Sequence, residues 1–241
     1  LFSVPAAWVA SGIIFILALL AIPLSASATI IGNTTLTMTP SPLTGVVTFP
    51  GESQGNYYLD YDAKYTWDGE TITSEIFCVE NIPGSTSPQP YTLLSLDATL
   101  DTYGLDHNRY IAAAWIADNY YNSATNQETW KAAAQIAIWE VVFDYGTYNL
   151  GDGDFESNND LNDEAQTILN TLAGLNQIKN TGNWALAVSP TIGDSGKVEL
   201  AGFQNYLVKN PAPVPEPATM LLLGTSLLGL AGIKRKRSKK S

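Results

Sequence analysis

The stretch NQETWKAAAQIAIWEVVFDYG (126–146) decides the fold class, because it is helical in character and lies between regions rich in strand-forming residues. Its Ala-rich core places Gln135 at helical spacing from Lys131, Ile138 and Trp139. Gln135 therefore faces a largely apolar seam. An amide in such a seam needs a hydrogen-bonding partner or chemical conversion into a group without the amide.

Strands and further helices surround this segment. Two more helices are predicted at 108–122 and 161–172. Strands are predicted from β-prone or alternating runs at 35–40, 45–49, 56–67, 71–80, 183–190, 196–203 and 205–209, with Asp68-Gly69 as a hairpin turn. This order predicts an α+β domain at 29–210, with β-sandwich-like or barrel-like strands and an inserted helical subdomain.

The first 28 residues are apolar and uncharged, and they end in Ala26-Ser27-Ala28. A hydrophobic run followed by an A-x-A site is typical of a secretory signal peptide, so we expect export and cleavage. A transmembrane helix is the alternative, because the run approaches the lower limit of spanning length.

The tail at 211–241 joins a Pro-rich linker to an apolar run at 218–233 and a basic end. An apolar run of this kind predicts membrane attachment before processing. The segment VPEPATMLLLGTSLLGLAGIKRKR resembles the PEP-CTERM sorting signal of Gram-negative bacteria. The resemblance implies recognition at Pro215, Glu216 and Pro217 and removal of the tail by an exosortase-type membrane protease. It also implies a location in the cell envelope, at the cell surface or in the biofilm and exopolysaccharide matrix.

Charge narrows the range of partners. The chain has 23 acidic and 12 basic residues and a net charge of -11, and six of the basic residues lie at 234–240. The domain before the tail is therefore strongly acidic, which disfavours nucleic acid and anionic membrane surfaces and favours amine-bearing or cationic partners. Acidity also promotes solubility outside the cell.

Cys78, in the stretch EIFCVENIPG (75–84), is the only cysteine in the chain. It lies near the end of a predicted strand. An exported domain usually pairs its cysteines, and this one has no partner in its own sequence. The thiol is therefore buried and inert, paired with another chain, or chemically occupied.

Phe77-Cys78 and the later run Gln135–Trp139 together resemble the thioester domain of bacterial surface adhesins, over most of 57–208. Ala134 stands where that family has Thr. The resemblance implies an internal thioester between the Cys78 sulfur and the Gln135 side-chain carbonyl, formed with loss of ammonia. It also implies burial of the bond among Phe77, Trp115 and Trp139. Capture of the bond by Lys131 of the same chain is left open.

These features predict an exported surface or matrix protein that forms one covalent bond to an amine- or hydroxyl-bearing partner. Such a protein would act in adhesion or in the biofilm matrix, without turnover as an enzyme and without a cofactor. The alternative is a structural matrix protein with an unreacted thiol. A hydrolase using Cys78 and His107 is a weaker possibility, because no third orienting group is evident. No metal site is predicted; Asp152, Asp154 and Glu156 are a weak calcium candidate that departs from the EF-hand pattern.

Overall fold

The computed structural model describes residues 30–67, 69–82, 84–120, 127–179, 182–189 and 203–211. The predicted signal peptide at 1–28 and the tail from residue 212 onward, with its apolar run and basic end, lie outside these residues. Within the described ranges, no helix is both long enough and apolar enough to cross a membrane.

Nine strands form two antiparallel sheets in the described part of the chain. They are β1 (Ile30–Pro40), β2 (Thr44–Thr48), β3 (Gly55–Tyr58), β4 (Tyr61–Trp67), β5 (Glu70–Cys78), β6 (Gln89–Ser95), β7 (Glu156–Ser157), β8 (Trp184–Val188) and β9 (Tyr206–Lys209). Six of them close a barrel in the order β1-β4-β5-β9-β8-β6, and the others form a small sheet in the order β3-β2-β7.

Alternating side chains fill the barrel. In β4, Tyr61, Ala63 and Tyr65 are buried, whereas Asp62 and Lys64 are exposed, because successive side chains of a strand point to opposite faces. The helical insert packs against the outer face of the barrel at β5 and β8. That insert lies between β6 and β8 in the chain.

Three α-helices make up the insert, after a short 3₁₀ helix at Ala98–Tyr103: α1 (His107–Tyr120), α2 (Gln127–Phe143) and α3 (Asn162–Ala173). The second helix packs against both others and against β5, and α1 also contacts β8. The middle of α2 is buried on all sides, since Ala132 to Val142 are each at most 7% exposed. This explains the nearly continuous apolar run in that part of the sequence.

The structure confirms the predicted α+β class with barrel-like strands and an inserted helical subdomain. One predicted strand is wrong: 56–67 is interrupted at Leu59 and Asp60, so that β3 joins the small sheet and β4 joins the barrel. The predicted hairpin connects β4 to β5, and its Gly69 has a φ of +80°, which favours glycine. Strand β6 was not predicted, and 196–202 lies outside the described residues.

Candidate thioester site

Cys78 and Gln135 are in direct contact, although 57 positions separate them in the chain. The Cys78 backbone N–H donates to Oε1 of Gln135 at 2.8 Å, and Nε2 of Gln135 donates to the Cys78 carbonyl at 2.8 Å. Both residues are fully buried. Because a C=O bond is about 1.23 Å long, the Gln135 carbonyl carbon lies within about 4 Å of the Cys78 nitrogen.

The end of the β4–β5 ladder explains this contact. The Val79 N–H donates to the Asn205 carbonyl, so Cys78, the residue before it, directs its own N–H and C=O to the other side, toward β4. The ladder between β4 and β5 ends at the pair of Tyr61 with Ile76, two residues before Cys78. The Gln135 carboxamide takes the place of the missing strand. It satisfies both backbone groups, and they satisfy its amide.

Lys131, one helical turn before Gln135, attaches α2 to the sheet. Its ammonium group forms ion pairs with Asp60 and Glu75, and it lies 3.7 Å from Asp62. Lys131 is only 5% exposed, so these contacts are largely screened from water. They hold the helix over the end of β4, where the Gln135 side chain reaches Cys78. They also engage the Lys131 nitrogen, which disfavours capture of a thioester by this lysine.

The Cys78 side chain points into the barrel. Cys78 pairs with Tyr206 across the β5–β9 ladder, on the face that also carries Tyr61. Burial raises the pKa of the Cys78 thiol well above its ordinary value, and the charge of Glu80 adds to that effect, while a hydrogen bond with the Tyr61 hydroxyl opposes it. The sulfur is therefore a protonated thiol at neutral pH when it is free.

The residues predicted to shield the site lie in three different places. Phe77 points to the opposite face of β5 from Cys78 and contacts the Trp184 ring at 5.6 Å between centroids. Trp139, one turn after Gln135, is 1% exposed and packs in an aromatic cluster that includes Phe49, Tyr57 and Phe155. The ring of Trp115 contacts Tyr120 on α1 and is only partly buried. Phe77 and Trp139 are buried neighbours of the pair along the chain, and Trp115 belongs to a separate aromatic group.

Glu80 lies two residues beyond Cys78 and is 8% exposed. One of its oxygens accepts a hydrogen bond from the Asn205 backbone N–H at 3.1 Å, and the other accepts from the Asn205 amide at 2.6 Å. Burial raises the pKa of Glu80 from 4.5 to about 7, while these hydrogen bonds partly oppose the shift. Burial also raises the pKa of Glu140, on α2, to about 7.

The raised pKa of Glu80 predicts a dependence of stability on pH. Its folded-state pKa lies above its unfolded value, so its contribution to stability is fully present below about pH 4.5 and is lost as the pH rises through about 7. Urea denaturation of the wild-type chain should give a lower free energy of unfolding at pH 8 than at pH 5, by about 1 to 3 kcal/mol from this group. The neutral variant Glu80→Gln should flatten that slope. An unchanged slope in this variant would contradict the assignment.

The remaining candidates of the sequence lie away from Cys78. The ring of His107, at the start of α1, contacts Asp101 at 2.9 Å. Asp101, Asp106 and His107 bring three ligand-type atoms within 4.8 Å of one another, the one such group that the described ranges contain. Their atoms already bond within the fold, since Asp106 accepts from the backbone N–H of Asn108.

The weak calcium candidate lies on the loop between α2 and α3. Asp152, Asp154 and Glu156 are all exposed there, and no group of metal-ligand atoms forms among them within the described residues. Phe155 and Ser157 of the same loop are buried. The acidic residues of this segment therefore alternate with buried residues because they occupy the solvent-facing positions.

Sequence reasoning did not find two residues of the site. The contact of Tyr61 with the thiol depends on strand pairing between distant residues, and no local pattern indicates it. The role of Lys131 had a partial signal, namely a lysine on the apolar face of α2. Its acidic partners lie more than fifty positions earlier in the chain, so periodicity could not identify them.

Two family models and one solved structure match parts of this chain. The family model of the thioester domain matches residues 59–177, which contain both Cys78 and Gln135. The model of the PEP-CTERM protein-sorting motif matches residues 213–236, which contain the predicted Pro-Glu-Pro. Among solved structures, the N-terminal thioester domain of a surface protein from Clostridium perfringens is similar, with a TM-score of 0.39 and 15% sequence identity, over 73% of this chain and 97% of that chain. No curated protein matches this chain.

These matches confirm the two resemblances on which the sequence analysis relied. A PEP-CTERM motif implies processing by an exosortase-type protease, and together with the thioester domain it indicates a protein exported to the cell surface. Residues 59–177 match the thioester-domain family, and residues 213–236 match the PEP-CTERM sorting motif.

Proposed function

We propose that Cys78 and Gln135 form an internal thioester, which the protein uses once to attach itself covalently to an amine- or hydroxyl-bearing partner. The observation that carries this proposal is the pair of reciprocal hydrogen bonds between the Gln135 carboxamide and the Cys78 backbone in a fully buried site. A fold that holds the two groups together lowers the entropic cost of joining them.

The thioester would form when the Cys78 sulfur attacks the side-chain carbonyl carbon of Gln135. The C–N bond then breaks, the thiol proton goes to the departing nitrogen, and ammonia leaves. Negative charge develops on Oε1 during the attack. The Cys78 N–H already donates to that oxygen at 2.8 Å, so it is placed to stabilise the charge. Ala134 is fully buried and offers no hydroxyl for this purpose.

Capture would reverse the roles of the two groups. The nitrogen of an amine, or the oxygen of a hydroxyl group, attacks the same carbon, the C–S bond breaks, and the Cys78 thiol is regenerated. The partner is left joined to Gln135 through an amide or an ester. Because no step restores the thioester, the protein would act once and would not turn over as an enzyme.

The sorting motif supports a setting for this reaction. An exported protein of a Gram-negative envelope, released by an exosortase-type protease, would meet partners on other cells, on matrix proteins or on exopolysaccharide. Adhesion and attachment to a biofilm matrix are the roles that fit such a reaction. The acidic surface of the domain would favour amine-bearing partners electrostatically.

Intact mass spectrometry tests the proposal. With the termini established by peptide mapping, the purified protein should be lighter than its sequence by one ammonia. Its thiol should resist alkylation until methylamine is added, and methylamine should then be found on Gln135. A protein of full mass whose thiol is alkylated after unfolding without methylamine would contradict the proposal. That result would support a structural matrix protein in which Gln135 is only a buried hydrogen-bonding side chain.

A further inference from the structure

A cavity of about 510 Å³ opens at the end of the barrel where β1 ends and β4 begins. Its wall includes the aromatic rings of Tyr57, Tyr58 and Tyr61, together with Asn81 and Gln204. Tyr58 lies at the rim and is 45% exposed, whereas Tyr61 is only 5% exposed. The cavity therefore narrows from an exposed rim to a buried floor, and Tyr61 forms part of that floor.

Tyr61 connects this cavity to the reacting sulfur. It begins β4 and pairs with Ile76, so it is the diagonal neighbour of Cys78 on the inner face of the barrel. Both side chains are buried, and the Tyr61 hydroxyl lies near enough to oppose, in part, the rise that burial causes in the pKa of the Cys78 thiol. The same side chain thus faces the cavity and lies beside Cys78.

The charge of the cavity wall also restricts what can enter. Among the described residues that line it, Glu52 carries the only formal charge. Its carboxylate is held at the rim by the Tyr57 hydroxyl at 3.1 Å and the Asn81 amide at 3.0 Å. A fixed negative charge at the rim attracts ammonium groups and repels anions.

We propose that the nucleophile reaches the thioester through this tyrosine-lined cavity, and that the Tyr61 hydroxyl donates a hydrogen bond to the Cys78 sulfur as it leaves. This inference rests on the proposed function. When a neutral amine attacks the Gln135 carbonyl carbon, the C–S bond breaks and its electron pair stays on the sulfur. The proton lost by the amine then neutralises the thiolate. Burial makes a thiolate costly at this position, so a donor aimed at it lowers the barrier.

The test compares the full chain with Tyr61→Phe and with Tyr145→Phe, a control that removes a tyrosine hydroxyl from an exposed side chain after α2, outside the cavity wall. The rate of thiol release by methylamine is measured for each protein after its mass deficit has been recorded. We expect Tyr61→Phe to react about 10- to 100-fold more slowly, because a hydrogen bond to a charged group contributes about 1.5 to 3 kcal/mol. Tyr145→Phe should react at the wild-type rate.

Two further variants test the route without altering Tyr61. Thr86→Trp narrows the exposed side of the cavity, and it should slow capture of a lysine-containing peptide more than capture of methylamine. Glu52→Lys reverses the charge at the rim, and it should slow methylamine while leaving neutral hydroxylamine nearly unchanged. Access through this cavity would be contradicted if Thr86→Trp slowed the peptide and methylamine equally, and if Glu52→Lys slowed methylamine and hydroxylamine equally.

The results distinguish this inference from the proposed function. A wild-type chain of full mass contradicts the thioester itself. A wild-type chain with the mass deficit, combined with equal rates in the wild type and in Tyr61→Phe, contradicts only the role of Tyr61. If Tyr61→Phe folds but has no mass deficit, the hydroxyl is needed to form the thioester. Thioester formation is the reverse of capture by an amine, so this result would also support an interaction of the hydroxyl with the sulfur. If Tyr61→Phe does not fold, the rates of Thr86→Trp and Glu52→Lys decide whether the nucleophile enters through this cavity.

Discussion

Gln135→Ala is expected to abolish the mass deficit and all covalent capture, and also to destabilise the fold. Without the carboxamide, the N–H and C=O of Cys78 are buried with no partner, because β4 ends before it can pair with them. Each such group costs about 1 to 3 kcal/mol, and the vacated volume adds to the loss. We expect a free energy of unfolding lower by about 3 to 5 kcal/mol, measured by urea denaturation.

The matched reference for this measurement is Cys78→Ser. That variant cannot form the thioester, but it keeps the Gln135 carboxamide and its two hydrogen bonds. Both variants should lack the mass deficit, and only Gln135→Ala should be strongly destabilised relative to the reference. A mass deficit that persists in Gln135→Ala would show that another side chain is joined to Cys78.

Lys131→Met is expected to have the second largest effect. The change leaves Asp60, Asp62 and Glu75 close together without their cation, on the surface that positions α2. Breaking a buried ion pair by removing one partner costs about 3 to 5 kcal/mol, and solvent near the partly exposed carboxylates reduces that to about 2 to 4 kcal/mol. Urea denaturation should show this loss. Mass spectrometry should also show less complete thioester formation, because Gln135 is no longer held over Cys78.

Two controls test whether the effect depends on the buried position of Lys131 and on the repulsion among the carboxylates left behind. Lys64→Met removes an exposed lysine from β4 and should change the free energy of unfolding by less than about 0.5 kcal/mol. Adding Glu75→Gln to Lys131→Met relieves part of the repulsion and should recover part of the stability. If Lys131→Met were as stable as Lys64→Met, the ion pairs would not attach α2 to the sheet.

The sequence allowed prediction of the parts of the site that depend on local pattern. Helical spacing placed Gln135 on an apolar face, and β-prone residues placed Cys78 near the end of a strand, as the structure has them. The pairing of Cys78 with Gln135 came from the family resemblance, because nothing in the spacing of the two residues specifies it. Strand β6 was missed because the Pro- and Ser-rich loop before it obscures the start of its apolar run.

The errors and omissions have a common physical cause. The alternation of 56–67 continues through Leu59 and Asp60, although the chain changes sheets there, so a period of two could not locate the break. That same break ends the β4–β5 ladder at Tyr61 and leaves Cys78 without a partner on the β4 side. Long-range pairing therefore determines the site, and a single sequence does not encode such pairing in any local period.

The contact between Cys78 and Gln135 has a consequence for the protein after it has reacted. A thioester here closes a loop that runs from the end of β5 through β6 and α1 to the middle of α2, and a cross-link of this length restricts the unfolded chain by about 4 kcal/mol in the loop-entropy description. Capture of a partner breaks that cross-link. The unreacted domain is thus cross-linked between β5 and α2, whereas in the reacted domain only ion pairs, hydrogen bonds and packing hold α2 to the sheet.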